Sequence, residues 1–232
     1  MSAPSSEDRI RELVRDLRPV RPIPPLRTEV AVVAGTGLAV VVLGWRLGAF
    51  LPRAYADSAW SDPRFLVILV GLALVAFGAI SAGLASAVPD RERAVRIGFR
   101  VGALGICVTL ASGLFGVARS TLDLSPAAVS ACVACLSSAL VLGFASCLVA
   151  CVFIARAAMR RPNASAALAI AGSVALGAFA VHAHCSAGDA FHQLVAHASA
   201  PLIAAAALTP LVSVALRYGT RRDRLDAFRP KS

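Results

Sequence analysis

Apolar and polar positions along this chain fall into blocks. Six apolar stretches, at about 30–51, 65–88, 97–118, 131–155, 165–183 and 195–216, alternate with short polar segments. Each reaches the ~20 residues that a helix needs to cross a hydrocarbon core about 30 Å thick. The pattern predicts an all-α fold, a polytopic six-helix transmembrane bundle. An even number of spans places both ends of the chain on one side of the membrane.

The arginines orient this bundle. Of 23 Arg and Lys residues, 19 lie in four segments on one side: Arg9 to Arg27, Arg91 to Arg100, Arg156 to Arg161, and Arg217 to Lys231. Arg46, Arg53, Arg64 and Arg119 fall on the other side or at its boundary. The positive-inside rule then puts both termini in the cytoplasm. A net charge of +10 would otherwise suggest nucleic acid, but the arginines are dispersed and lack interleaved aromatics, so no direct nucleic-acid contact is expected. With 58% hydrophobic residues, the chain has no room for a soluble domain of ordinary size. A cleavable signal peptide is not expected, because the first apolar run starts late and follows Glu7, Asp8, Glu12 and Asp16.

Three parts follow: a cytoplasmic segment at 1–29, the membrane domain at 30–216, and a basic tail at 217–232. Within the first, residues 5–18 predict a short amphipathic helix, with Ser5 as cap and Ile10, Leu13, Val14 and Leu17 along one face. Pro19 ends it, and Pro22, Pro24 and Pro25 stiffen the linker that leads to span one. A helix this short is marginal alone in water, so its apolar stripe needs a partner, either the membrane interface or a protein groove. In the membrane domain, Gly71, Gly78, Gly83, Gly98, Gly102, Gly105, Gly172 and Gly177 predict close helix packing, and Pro201 and Pro210 predict kinks in span six. No Asp, Glu or Lys occupies the middle of a span, which argues against transport. No catalytic residues stand out, and the chain is not expected to be an enzyme.

Chemistry concentrates at the outer end. Cys107, Cys147 and Cys151 lie within spans and read as small apolar residues. Cys132 and Cys135 open span four, and Cys185 follows span five near all four histidines, His182, His184, His192 and His197. Thiols and imidazoles together suit a soft or borderline metal ion, with His184, Cys185, His192 and His197 as candidate ligands. Alternatively Cys185 pairs with Cys132 or Cys135 in a disulfide whose state is the signal, or in one that is merely structural. A thiol oxidoreductase built on Cys132-x-x-Cys135 is the competing class of function. Haem would want paired histidines at membrane depth, and these sit near one end.

The run Ile10-Arg11-Glu12-Leu13-Val14-Arg15-Asp16-Leu17-Arg18-Pro19-Val20-Arg21-Pro22 resembles the N-terminus of six-span anti-sigma proteins of the negative regulator of sigma F family. The likeness extends to Asp62-Pro63-Arg64-Phe65, Ser86-Ala87-Val88-Pro89, a cysteine opening span four, and His184-Cys185. Asp90, Ser186 and Ala196 depart from the family pattern, where glycine, proline and tryptophan are usual. The resemblance implies an anti-sigma factor that holds an extracytoplasmic-function sigma factor at the membrane. Ile10, Leu13, Val14, Leu17, Arg18, Pro19, Val20 and Arg21 would form the docking surface, and Cys132, Cys135 and Cys185 the sensing thiols. It requires no cofactor, and an outer-face metal ion is the one candidate. In the family, the position opening span four and the His-Cys position carry the characteristic cysteines. Counting back from Arg156 favours Cys135, and a gap of one turn would select Cys132 instead.

Overall fold

The computed structural model describes residues 7, 14, 23–46, 62–120, 122–157, 161–185 and 189–227, with side chains as far as Tyr218. Of the expected docking surface, Val14 is described and is exposed, while Ile10, Leu13, Leu17, Arg18, Pro19, Val20 and Arg21 lie outside the described residues. The long helices are α1 (Leu26–Arg46), α2 (Pro63–Ser86), α3 (Glu92–Val117), α4 (Pro126–Arg156), α5 (Pro162–His184) and α6 (Ala200–Ala227). A 3-10 turn at Pro89–Arg91 leads into α3. Span six begins before α6, with an α-turn at Ala190–His192 and a π-helical stretch at Gln193–Ala198. All six spans are long and apolar enough to cross a membrane, and the chain is a multi-pass membrane protein.

Local chemistry sets where the helices begin. Asp62 caps α2 through Arg64 N at 2.9 Å, and Ser125 caps α4 through Ala128 N at 3.3 Å, each followed by a proline whose missing N–H costs nothing in a first turn. The Ser125-Pro126 start puts Cys132 and Cys135 in the second and third turns of α4, deeper than an opening near residue 131 would have left them. Helix α1 starts at Leu26, with the Pro25 carbonyl accepting from the N–H groups of Thr28 and Glu29. Glu29 therefore lies inside the helix, where it is buried.

Helices α2 and α5 form the centre, and α1, α3, α4 and span six surround them with apolar faces turned outward. Exposed Phe99, Phe115, Val141, Phe144 and Leu211 suit lipid and not water. Small residues allow the central contacts. A Cβ at Gly78 would strike the backbone of Gly102, and one at Gly98 would come within 2.8 Å of the Gly78 carbonyl. At the α4–α5 contact, a Cβ at Gly177 would collide with the Ala139 carbonyl, and one at Gly143 would lie 2.6 Å from the Ser173 carbonyl. In lipid such backbone proximity is itself the source of helix association, since apolar side chains gain little by leaving the tails. Pro210 sits inside the continuous α6, whereas Pro201 is its second residue and stands just after the π-helical stretch.

Long-range contacts sort by end. Glu29 with Arg91, Ser86 with Ser165, and Asn163 with Arg217 meet at one end, hereafter the basic end. Phe65 with His182, Cys132 with His192, and Cys135 with Cys185 meet at the other, the histidine end. The helices thus run alternately up and down.

Candidate metal centre

Three parts of the chain bring thiols and imidazoles together at the histidine end. Cys135 comes from α4, Cys185 from the residue that ends α5, and His192 and His197 from the start of span six. One ligand atom from each lies within 4.8 Å of all the others. The Cys135 and Cys185 sulfurs are 3.6 Å apart, and Cys185 Sγ is 3.2 Å from His192 Nε2. A tetrahedral ion bound to two thiolates at ~2.3 Å would separate its sulfurs by ~3.8 Å, so the observed spacing suits a Cys2His2 ligand set. His192 and His197 are buried, and the two cysteines are half-buried.

The π-helical stretch makes this convergence possible. His192 and His197 are five residues apart, a spacing that on an α-helix turns side chains to different faces. A helix closed by i→i+5 bonds, here Ser199 N to the Leu194 carbonyl at 2.9 Å, brings such residues nearly above one another. Its cause lies in the sequence: Pro201 has no N–H to give the His197 carbonyl and its ring crowds that carbonyl, so the ladder widens before it. Asp189 Oδ1 accepts from His192 N at 2.7 Å and caps the preceding turn. Helix α3 supports the segment closely, since a Cβ at Gly113 would lie 2.8 Å from the Leu194 side chain and one at Gly116 2.9 Å from Ala190 Cβ. Neither glycine stood out in the sequence, where the packing motif ended at Gly105.

Further groups border the centre. Cys132 Sγ lies 3.4 Å from His192 Nδ1, so that imidazole is held on both nitrogens by sulfur. His197 packs edge-on to His182 with ring centroids 4.9 Å apart, and His182 stacks on Phe65 at 4.6 Å. His182 Nε2 donates to the Phe65 carbonyl at 3.3 Å, since a carbonyl can only accept. His184 turns elsewhere: its Nδ1 donates to the Ala180 carbonyl of its own helix at 2.9 Å. Of the four ligands suggested by sequence, the structure assembles Cys185, His192 and His197, and it adds Cys135 where His184 had been expected. Residues 182 and 184 are two apart on an α-helix and so face roughly opposite ways.

The electrostatics favour a thiolate. A hydrogen bond from Cys135 holds the Cys185 thiol below its ordinary range against the opposing effect of burial, and His192 and His197 act in the same downward direction. A thiolate is the form that ligates metals or attacks a disulfide. Cys135 and Cys185 meet as thiols and not as a disulfide, and the pair joins residues fifty positions apart.

Comparison with protein-family models, with curated proteins and with solved structures gives no match to this chain. No family is identified. Two soft sulfurs and two borderline nitrogens, with few hard oxygen ligands near, fit zinc, cadmium or copper(I) far better than magnesium or calcium.

Proposed function

We propose that the chain is a membrane-bound anti-sigma factor of the bacterial inner membrane, with both termini in the cytoplasm. In this reading a Cys2His2 centre on the outer side responds to a soft metal ion or to oxidation, and residues 1–29 hold an extracytoplasmic-function sigma factor on the inner side. The convergence of Cys135, Cys185, His192 and His197 within 4.8 Å carries the sensing half. The N-terminal run from Ile10 to Pro22 supports the docking half through its resemblance, and the arginine bias supports the orientation.

The connection between the two ends runs through helices. Cys135 lies on α4 and Cys185 on the end of α5, so drawing them onto an ion or into a disulfide would shift α4 against α5. That contact is built on Gly143 and Gly177. Helix α1 packs on the same pair, where a Cβ at Gly37 would strike Leu176 and come within 2.5 Å of Ser146 Oγ. At the far end of α1, Arg91 Nη1 donates to Glu29 at 2.6 Å and Nη2 to the Pro24 carbonyl at 2.6 Å, fixing the linker that leads to the docking segment. Typical couplings of about 1–3 kcal/mol change affinity ~5–150-fold, enough for a sigma factor held near its threshold.

The test is co-purification from cell extract of the detergent-solubilised chain, with and without residues 1–27. Recovery of a sigma factor with the intact form, and its release by cadmium or a thiol oxidant in wild type but not in Cys185→Ser, is the expected result. Leu13→Glu should lose the sigma factor while the protein stays in the membrane. Failure of both forms to recover one would leave a membrane thiol or metal protein. The 3.6 Å approach of Cys135 and Cys185 favours, as second reading, an oxidoreductase whose reactive pair is these two thiols and not Cys132-x-x-Cys135.

A further inference from the structure

A cavity of about 340 Å³ opens at the basic end, where α2 ends and α3 and α5 begin. Its wall is formed by Ser86, Val88 and Val95, and its charged groups are Arg96, Arg161 and Glu92. We propose that this cavity binds the head group of one anionic phospholipid, with the phosphodiester between Arg96 and Arg161.

Depth is the first argument. Ser86 is the last residue of α2, Glu92 the first of α3, and Arg161 the residue before α5, so three helices change from apolar to polar around one opening. That is the level at which phosphates of a bilayer lie. The walls make the second argument. Val95 is followed one turn later by Phe99, an apolar ring 59% exposed on the outer surface of α3, so the cavity wall continues toward the bilayer in apolar side chains. A free phosphate would leave this track unused, whereas acyl chains would cover it.

Charge selects among lipids. Two guanidinium groups and one carboxylate leave one positive charge, matched by a single phosphodiester. The exposed Glu92–Arg96 pair, at 3.7 Å, is weak enough for Arg96 to turn to a phosphate. Arg161 precedes a first turn of α5 that has no side-chain cap, and an anion there is favoured by the helix dipole. Glu92 can accept from the hydroxyl groups of a glycerol head group. Basic pockets between transmembrane helices are a recurrent form of anionic lipid site. The cavity lies at the opposite end of the bundle from the Cys/His centre, and its lining is separate from residues 1–29.

The test uses the full-length purified protein, by native mass spectrometry and thermal unfolding with added dioleoyl phosphatidylglycerol. Wild type should retain one lipid and gain thermal stability. Arg96→Ala with Arg161→Ala should weaken binding about thirtyfold. Arg93→Ala with Arg100→Ala removes the same net charge, all of it from α3, without touching the cavity and should leave binding intact. Equal loss in the two double variants would reduce the effect to surface charge and overturn the site. Equal retention of phosphatidylethanolamine would overturn the charge argument, and displacement by millimolar inorganic phosphate would replace the lipid with a soluble anion.

Discussion

The two ends of this bundle are polar in opposite ways. At the histidine end, a few groups are packed between helices and each meets several others: His192 lies between two sulfurs, and His197 between two imidazoles. At the basic end there is far more charge but little of it is fixed. Arg96 and Glu92 are exposed and 3.7 Å apart, whereas the half-buried Arg91 and the buried Glu29 are 2.6 Å apart. Charge count and chemical commitment are thus separate quantities. A solvated arginine orients the chain in its membrane, but a buried thiol or carboxylate must have its partner in place before the helices can pack around it.

Breaking the histidine end should give the largest effects. Cys135→Ser, Cys185→Ser or His197→Ala should each lower affinity for zinc by more than the ~10–100-fold that losing a supporting partner costs, measured by competition with a chromophoric chelator. Cys132→Ser, which removes the sulfur behind His192 Nδ1 but no candidate ligand, should fall within that ~10–100-fold range. If Cys132→Ser is as damaging as Cys185→Ser, the ligand set is wrong.

Next comes the Glu29–Arg91 ion pair at the other end. Glu29→Ala leaves the half-buried Arg91 with only the Pro24 carbonyl to accept from it and should cost about 1.5–3 kcal/mol in bundle stability, read from reversible unfolding in detergent. Arg96→Ala, at the exposed pair, should change it by less than ~1 kcal/mol. Similar values for the two would erase the contrast between buried and solvated charge. Between these lies packing: Gly177→Val drives a side chain into the Ala139 carbonyl and should cost at least about 1–3 kcal/mol, while Gly35→Val, with open space around it, should be nearly neutral.

Much of the fold could be read from the sequence because a bilayer allows few solutions. The six spans, the glycines between α2 and α3, and the side on which the thiols and histidines gather all follow from local composition. Helix starts were less legible. Ser125-Pro126 began α4 earlier than hydropathy alone suggests, and Glu29 entered α1 because Arg91, sixty-two residues away, covers its charge. The candidate site was legible only as a set of residue types. Bringing His192 over His197 required the π-helical widening before Pro201, and choosing Cys135 over His184 required the α4–α5 contact. The docking face expected from Ile10 to Arg21 lies, apart from Val14, outside the described residues.

Cys135, Cys185, His192 and His197 are placed to hold one metal ion. X-ray absorption of the purified, reduced, zinc-loaded protein tests it most directly. The account predicts one retained zinc with two sulfurs at about 2.3 Å and two nitrogens at about 2.0–2.1 Å, lost in Cys135→Ser with Cys185→Ser. A shell of nitrogen and oxygen alone, or zinc retained equally by that double variant, would contradict it.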